Sequence, residues 1–397
     1  MPELGLAVRD HRRARLMQVM DEARVDALAL AGMDHVEFAT NHGLTVQSWE
    51  RPFLLVLTRD GRSVLVAPHI ASTRLAAQQA RGTLWLDRTV HYDEMPRQRS
   101  RRPLVYQLPD IIAAVIADLR LGQARIGVDT ASGPLARAAA LLPDMRMVPV
   151  GRPLRASRLV KHRDEIETMR TAAGLADWAL ARYAEEIRPG RLLQEMDHRM
   201  AAEVAIEAAL RVPGEDFQIL RFMTLSGSAG AAPHGDGAQC GARVLDHALA
   251  VVVCNVRLNG LSIEDQRTFV VGDPGGRAMS MVAAARAATE AGLAAVVEGG
   301  PVSAVDAAAQ SVIEQAGFGD FILHRTGHGI GVATHEYPED MPFCDRAILA
   351  NEVLVVEPGI YVPGIGCARY VDVVAAGTPS DVLTRAPRTF EAMRIPA

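Results

Sequence analysis

The stretch that most narrows what this chain can fold into is His324-Arg325-Thr326-Gly327-His328-Gly329-Ile330-Gly331, closed by His335-Glu336 and followed by Val355-Val356-Glu357-Pro358-Gly359-Ile360-Tyr361. His328 and His335 stand seven residues apart, with glycine on both sides of the first. Glycine at that density describes a backbone that passes close to something else. A carboxylate on the next apolar run, Glu357, faces the same place, and paired histidines with a carboxylate are site chemistry.

Further residues fall in order on either side: Pro233-His234, then Gly260 with Arg267-Thr268-Phe269 upstream, and Arg369 with Asp372 downstream. Together these motifs resemble the creatinase/aminopeptidase-P superfamily, the pita-bread enzymes. The resemblance implies an α/β protein of two domains, a small α/β N-terminal domain and a C-terminal pita-bread fold with a pseudo-twofold repeat. It also implies a homodimer in which the N-terminal domain of one subunit, through the stretch 49–51, reaches the pocket of the other.

At 397 residues the chain exceeds the size at which one core keeps growing. Its first part alternates helical and strand patterns. Residues 8–23 read as a helix and Val25–Ala31 as a strand; Phe53–Thr58 and Ser63–Ala67 flank the hairpin signal Arg59-Asp60-Gly61-Arg62. Ile70–Ala80 reads as a helix, Leu84–Leu86 as a strand, Asp110–Arg120 as a helix, Ile126–Val128 as a strand and Ser132–Leu142 as a helix. From Lys161 to Ile187 a long helix places Ile166, Met169, Ala173, Ala176 and Leu180 on one face, and Pro189-Gly190 stops it. The boundary therefore falls near 155, giving domains 1–155 and 156–397. Within the second, a helix pair (161–187, 193–210) recurs as a second pair (277–298, 304–316), each leading into strands that carry motifs.

Composition removes several function classes. Hydrophobic residues are 49% and charged residues 22%, an ordinary globular balance. Net charge is −5, and the arginines are scattered or sit in short runs such as Arg97–Arg102, so no nucleic-acid footprint is present. Arg9, His11, Arg12, Arg13 and Arg15 interrupt the N-terminus where a signal core would lie, and no apolar run is long enough to span a bilayer. The four cysteines, Cys240, Cys254, Cys344 and Cys367, lack CxxC spacing, as expected of reduced thiols in a cytoplasmic protein.

Most branches of the resembled superfamily hold two metal ions through five side chains, in order Asp, Asp, His, Glu, Glu. With Gly260 and Arg267 setting the register, the first aspartate position is Val253, with Asn255 the nearest polar group, and the second is Glu264, beside Asp265. His328 and Glu357 match the third and fourth ligands, and the fifth position is Val371. Valine cannot ligate, so the expectation from sequence is no cofactor and no bridged two-metal centre, which would need carboxylates on both sides of the pair. Any single ion would sit on Glu264, His328 and Glu357.

The groups that handle substrate and protons in the superfamily are present as His234, His335 and Arg369. In creatinase, the metal-free branch, a histidine at the position of His234 moves the proton, and glutamates at the positions of Glu357 and Gln266 bind the cationic substrate. The leading expectation is therefore a metal-independent, creatinase-like hydrolase of a carbon–nitrogen bond in a small polar nitrogen compound. His234, His328 and Glu357 would be catalytic, while His335, Arg369, Glu264 and Gln266 would bind substrate. Two alternatives accompany it: an Xaa-Pro aminopeptidase or prolidase with a degenerate metal site, and an inactive pita-bread binding protein.

Overall fold

The computed structural model describes residues 4–43, 49–93, 107–237, 239–338 and 340–396; the Arg97–Arg102 run lies outside them. The packing divides between Arg158 and Leu159 into two units.

The first unit is a mixed sheet with helices. Strands β1 (Ala27–Leu30), β2 (Leu54–Thr58), β3 (Ser63–Pro68), β4 (Arg88–Tyr92), β5 (Arg125–Val128) and β6 (Arg146–Pro149) lie in the order β4-β3-β2-β1-β5-β6. The β2–β3 pair is the antiparallel hairpin expected from Asp60-Gly61, with Gly61 at φ 88°. Helices α1 (Leu6–Ala23), α2 (Met33–Thr40), α3 (Ser72–Arg81), α4 (Leu108–Asp118), α5 (Gly133–Ala140) and α6 (Gly151–Ala156) complete it. Ile112, Val115 and Ile116 of α4 enter one core with Val56, Val66 and Val128. Residues Leu84–Leu86 are not a strand. Leu84 and Trp85 are buried, and the Trp85 amide donates to the Thr40 carbonyl (3.0 Å), so pairing with β3 begins only at Arg88. The unanticipated α2 buries His35 and Glu37 among apolar residues, which masks its periodicity.

The second unit begins with α7 (Arg163–Glu186) and α8 (Leu193–Arg211). His162 caps α7 by accepting from the Asp164 amide, and Glu165 answers with a bond to the His162 amide. The apolar face of α7 packs on an antiparallel meander of β7 (Phe217–Ser226), β8 (Ala248–Leu258) and β9 (Leu261–Val271). The second helix pair, α9 (Gly276–Ala295) and α10 (Ser303–Gln315), leads into β10 (Gly327–Gly329), β11 (Val353–Val356), β12 (Gly359–Val362), β13 (Gly366–Arg369) and β14 (Asp372–Ala375). Here β10, β11 and β14 are consecutive antiparallel neighbours, while β12 and β13 form a hairpin. Two helix pairs, each backing antiparallel strands, give the pita-bread repeat.

The two strand sets are joined behind the site by Arg267, fully buried. Its Nη2 donates to Asp372 Oδ1 (2.8 Å), its Nη1 lies 2.9 Å from Asp265 Oδ1, and it also reaches the carbonyls of Val371 and Ala386. Arg388 supplies a second cation to Asp372 at 2.7 Å.

Candidate active site

Strand alternation sends Val253 and Asn255 of β8, and Glu264 and Gln266 of β9, to one face. The register pairs Val253 with Gln266 and Asn255 with Glu264, and Gln266 bridges onward to Val371. These four form the floor of a cavity of about 740 Å³, whose walls include His234, His324, Arg325, His335, Glu357 and Arg369.

His328 enters from β10, whose glycines have a steric purpose. A Cβ on Gly327 would overlap the Val355 carbonyl, and one on Gly329 the Tyr337 carbonyl, so β10 can lie this close to its neighbours only without side chains there. The His328 Nδ1–H donates to the Gly329 carbonyl at 2.8 Å. Its Nε2 is buried without a hydrogen-bond partner and faces Glu357 Oε1 at 3.3 Å. Burial disfavours the imidazolium, yet the Glu357 carboxylate overrides it and raises the His328 pKa. Burial alone would lift Glu357, but its contact with His328 and the charges of His328 and Arg369 pull it down to about 2. Glu264 is pushed up to about 7, chiefly by burial, with His328 and Arg369 opposing and the Glu357 charge adding.

The loop after β10 turns back so that Gly329 pairs with Glu336 and the His335 ring meets the His328 ring edge-on, centroids 4.2 Å apart. Glu336 holds this loop from beneath through a buried pair with Lys161 (3.0 Å) and a bond from the Ala333 amide. Desolvation, then the His328 charge, lowers the His335 pKa, so its imidazole is neutral near pH 7 and free to ligate.

On the other wall a hydrogen-bond chain fixes Arg369. Its Nη1 donates to Tyr361 Oη (2.9 Å), which donates to His324 Nε2 (2.6 Å), and His324 Nδ1–H donates to the Arg325 carbonyl (2.7 Å). Thr268 Oγ1 bonds both backbone groups of Arg369 at 2.8 Å. Cys367 is no nucleophile: burial pushes its thiol up to about 11.

Six of the seven residues singled out by sequence, His234, Glu264, Gln266, His335, Glu357 and Arg369, line this one cavity, and His328 touches Glu357. His234 and His335 are exposed to solvent. Sequence reasoning passed over Arg221 and Arg325 as wall residues and the Tyr361 link. It also drew the single-ion set differently: the structure gathers one donor atom each from Glu264, His328 and His335 within 4.8 Å of one another.

This cluster tests what ion the site fits. With the His328 Nε2 proton displaced by an ion, that nitrogen, the Glu264 carboxylate and the His335 imidazole are the kinds of donor a divalent ion takes. Val253 and Val371, both buried, offer no oxygen for a second ion. The residues therefore fit one ion and do not fit a bridged pair.

Comparison with known proteins bears on the same point. The model of metallopeptidase family M24 matches residues 167–377, and that of the creatinase/prolidase N-terminal domain matches 12–160. The chain is 29% identical to the Xaa-Pro dipeptidase of Pyrococcus furiosus over 217 residues, 55% of this chain and 60% of that protein. It is 28% identical over 338 residues to the probable dipeptidase PepE of Mycobacterium bovis, covering 84% of this chain and 83% of that one. The crystal structure of dipeptidase PepE from Mycobacterium ulcerans superposes with a TM-score of 0.79 at 24% identity, over 98% of this chain and 99% of that one.

Two expectations are corrected by these findings. The metal-independent, creatinase-like hydrolase of a non-peptide substrate is overturned, because the matching family is one of metallopeptidases and the relatives are named dipeptidases. The expectation of no cofactor falls with it, since the three-donor cluster stands within that family's domain. Valine at positions 253 and 371 argues against a bridged pair, and the single-ion set expected on Glu264, His328 and Glu357 left out His335, which counting the five family positions does not include. Family membership supports a hydrolase, and with the family model covering 211 of 397 residues the chain belongs to metallopeptidase family M24.

Proposed function

We propose that this chain is a dipeptidase of the Xaa-Pro type that works with a single divalent ion held by Glu264, His328 and His335. The observation that carries the reading is that one donor atom each from Glu264, His328 and His335 lies within 4.8 Å of the others. The dipeptidase names of the relatives supply the substrate class.

A divalent ion at this point supplies a Lewis acid for an amide carbonyl. The chain's own residues do the rest. Arg369, oriented by Tyr361 and Thr268, takes the terminal carboxylate of the dipeptide through two parallel hydrogen bonds. Gln266, whose Oε1 is buried and unpartnered, accepts a hydrogen bond from a substrate N–H. Glu357 stays ionised and fixes His328. His234, a solvent-exposed residue of the cavity wall, would pass a proton to the departing amine. In this reading residues 156–397 carry the chemistry, residues 1–155 carry none of it, and the protein assembles as a homodimer, as the family resemblance implies.

The test is reconstitution. Protein stripped with chelator and reloaded with Mn²⁺, Co²⁺ or Zn²⁺ is assayed on alanyl-proline. Stripping is expected to abolish hydrolysis and one equivalent of ion per chain to restore it; undiminished turnover after complete stripping would overturn the reading.

A further inference from the structure

Three arginines, Arg221, Arg325 and Arg369, open onto the cavity, and among the described residues none of them forms an ion pair with a carboxylate. Several other half-buried or buried arginines do form such pairs, as in Arg170 with Asp381, Arg346 with Glu352 and Arg267 with Asp372. Arg369 is buried, and its Nε has no partner. Arg325 is half-buried, and its Nε is tied to the Gly327 carbonyl at 3.1 Å, which anchors the root of the guanidinium. Arg221 stands at the mouth, donating to the His234 carbonyl at 3.5 Å.

Against these three cations the wall offers two carboxylates, Glu264 and Glu357. Glu357 is already committed to His328, and a divalent ion on Glu264 would add positive charge. A desolvated guanidinium without a counter-charge is costly, and a planar fork of donors suits a carboxylate better than any other small group. One substrate carboxylate, on Arg369, leaves the half-buried Arg325 uncompensated, with the exposed Arg221 on the same cavity.

We infer that the cavity is built for a substrate with two carboxylates, a dipeptide that carries an acidic side chain besides its terminal carboxylate, with Arg325 as the residue that selects the second one. Arg221 assists from the rim. The inference rests on the dipeptidase reading for the peptide, but the dicarboxylate preference stands on the arginines and can be measured without turnover.

Titration calorimetry with glutarate and butyrate reads it directly. The wild-type protein is expected to bind glutarate about tenfold or more tighter than butyrate, the scale of one charge-assisted hydrogen bond. In Arg325→Met that ratio should fall to within about twofold; Arg325→Gln, which can keep a donor toward the Gly327 carbonyl, serves if the methionine variant does not fold. A wild-type protein that binds both alike, or a folded variant that keeps the ratio, would overturn the inference. A parallel assay compares kcat/KM for glutamyl-proline, aspartyl-proline, alanyl-glutamate and alanyl-proline, with an acidic substrate expected to lead. Glutarate preference without hydrolysis of any dipeptide would uphold the dicarboxylate site and defeat the dipeptidase reading instead.

Discussion

In the single-ion reading proposed above, Val253 and Val371 set the metal count. They pair with Gln266 of the cavity floor from either side, where neighbouring strands would have to supply oxygen to a second ion. Replacing both, Val253→Asp with Val371→Glu, is expected to raise the bound metal from about one to about two ions per chain, read by elemental analysis of dialysed protein; a count that stays near one would show that more than these side chains is missing. Tyr361 offers a second test, because its hydroxyl both receives from Arg369 and donates to His324. Tyr361→Phe frees the guanidinium without touching the cluster, so KM should rise about tenfold, the scale of one hydrogen bond to a charged group, while metal affinity stays constant. The residues of this site were unevenly legible. His328 and Glu357 announce themselves by glycine spacing and position. His335 was named, but its place beside His328 depends on a turn back to Gly329 that no local pattern encodes. Arg325 sits inside the motif and carries no signal of its own, since a lone arginine reads the same solvated or buried. Arg221 reaches the cavity only through the pairing of β7 with β8.

At the scale of elements, the two strand sets meet through one buried arginine between two unlike carboxylates. Burial raises Asp265 well above the usual carboxylate value despite Arg267, with Asp177 and Asp372 adding to the shift. Burial acts on Asp372 in the same sense, but Arg267 and Arg388 overcome it and hold its pKa low. Asp372→Asn should therefore cost about 3–5 kcal/mol, the cost of breaking a buried pair, whereas Asp265→Asn, at a position where burial disfavours the charged carboxylate, should cost under about 1 kcal/mol in denaturant melts. Equal losses would show that the charge assignment is wrong. The pH dependence follows in sign. The contribution of Asp372 is complete above the unfolded carboxylate value and is lost as pH falls through its lowered folded value, so acid destabilisation sets in below about pH 4. Asp265 acts oppositely, favouring the fold at low pH and losing that contribution as pH rises toward its raised value. Long periodic elements such as α7 were readable because every third or fourth residue is buried. The strand at Arg88–Tyr92 was not, because burial of Leu84 and Trp85 marks their packing outside the sheet and imitates a strand.

At the scale of the molecule, the break between Arg158 and Leu159 separates a unit with its own core from the unit that holds every residue of the site. A ligand stabilises the unit it binds by mass action, about 2.7 kcal/mol at a hundredfold excess over Kd. Calorimetry with Mn²⁺ should therefore raise the unfolding transition of the second unit, and the equal displacement of every transition would contradict that division. The fold as a whole was legible because its motifs occur in a fixed order along the chain; the ligand set was not, because it depends on which side chains three separate strands and one turn bring to a single point.

The most direct test is anomalous diffraction at the manganese edge from crystals grown with Mn²⁺. A single peak bounded by Glu264, His328 and His335 is predicted. Two peaks about 3.5–4 Å apart, the spacing of a bridged pair, or a peak that lies away from His335, would contradict the account.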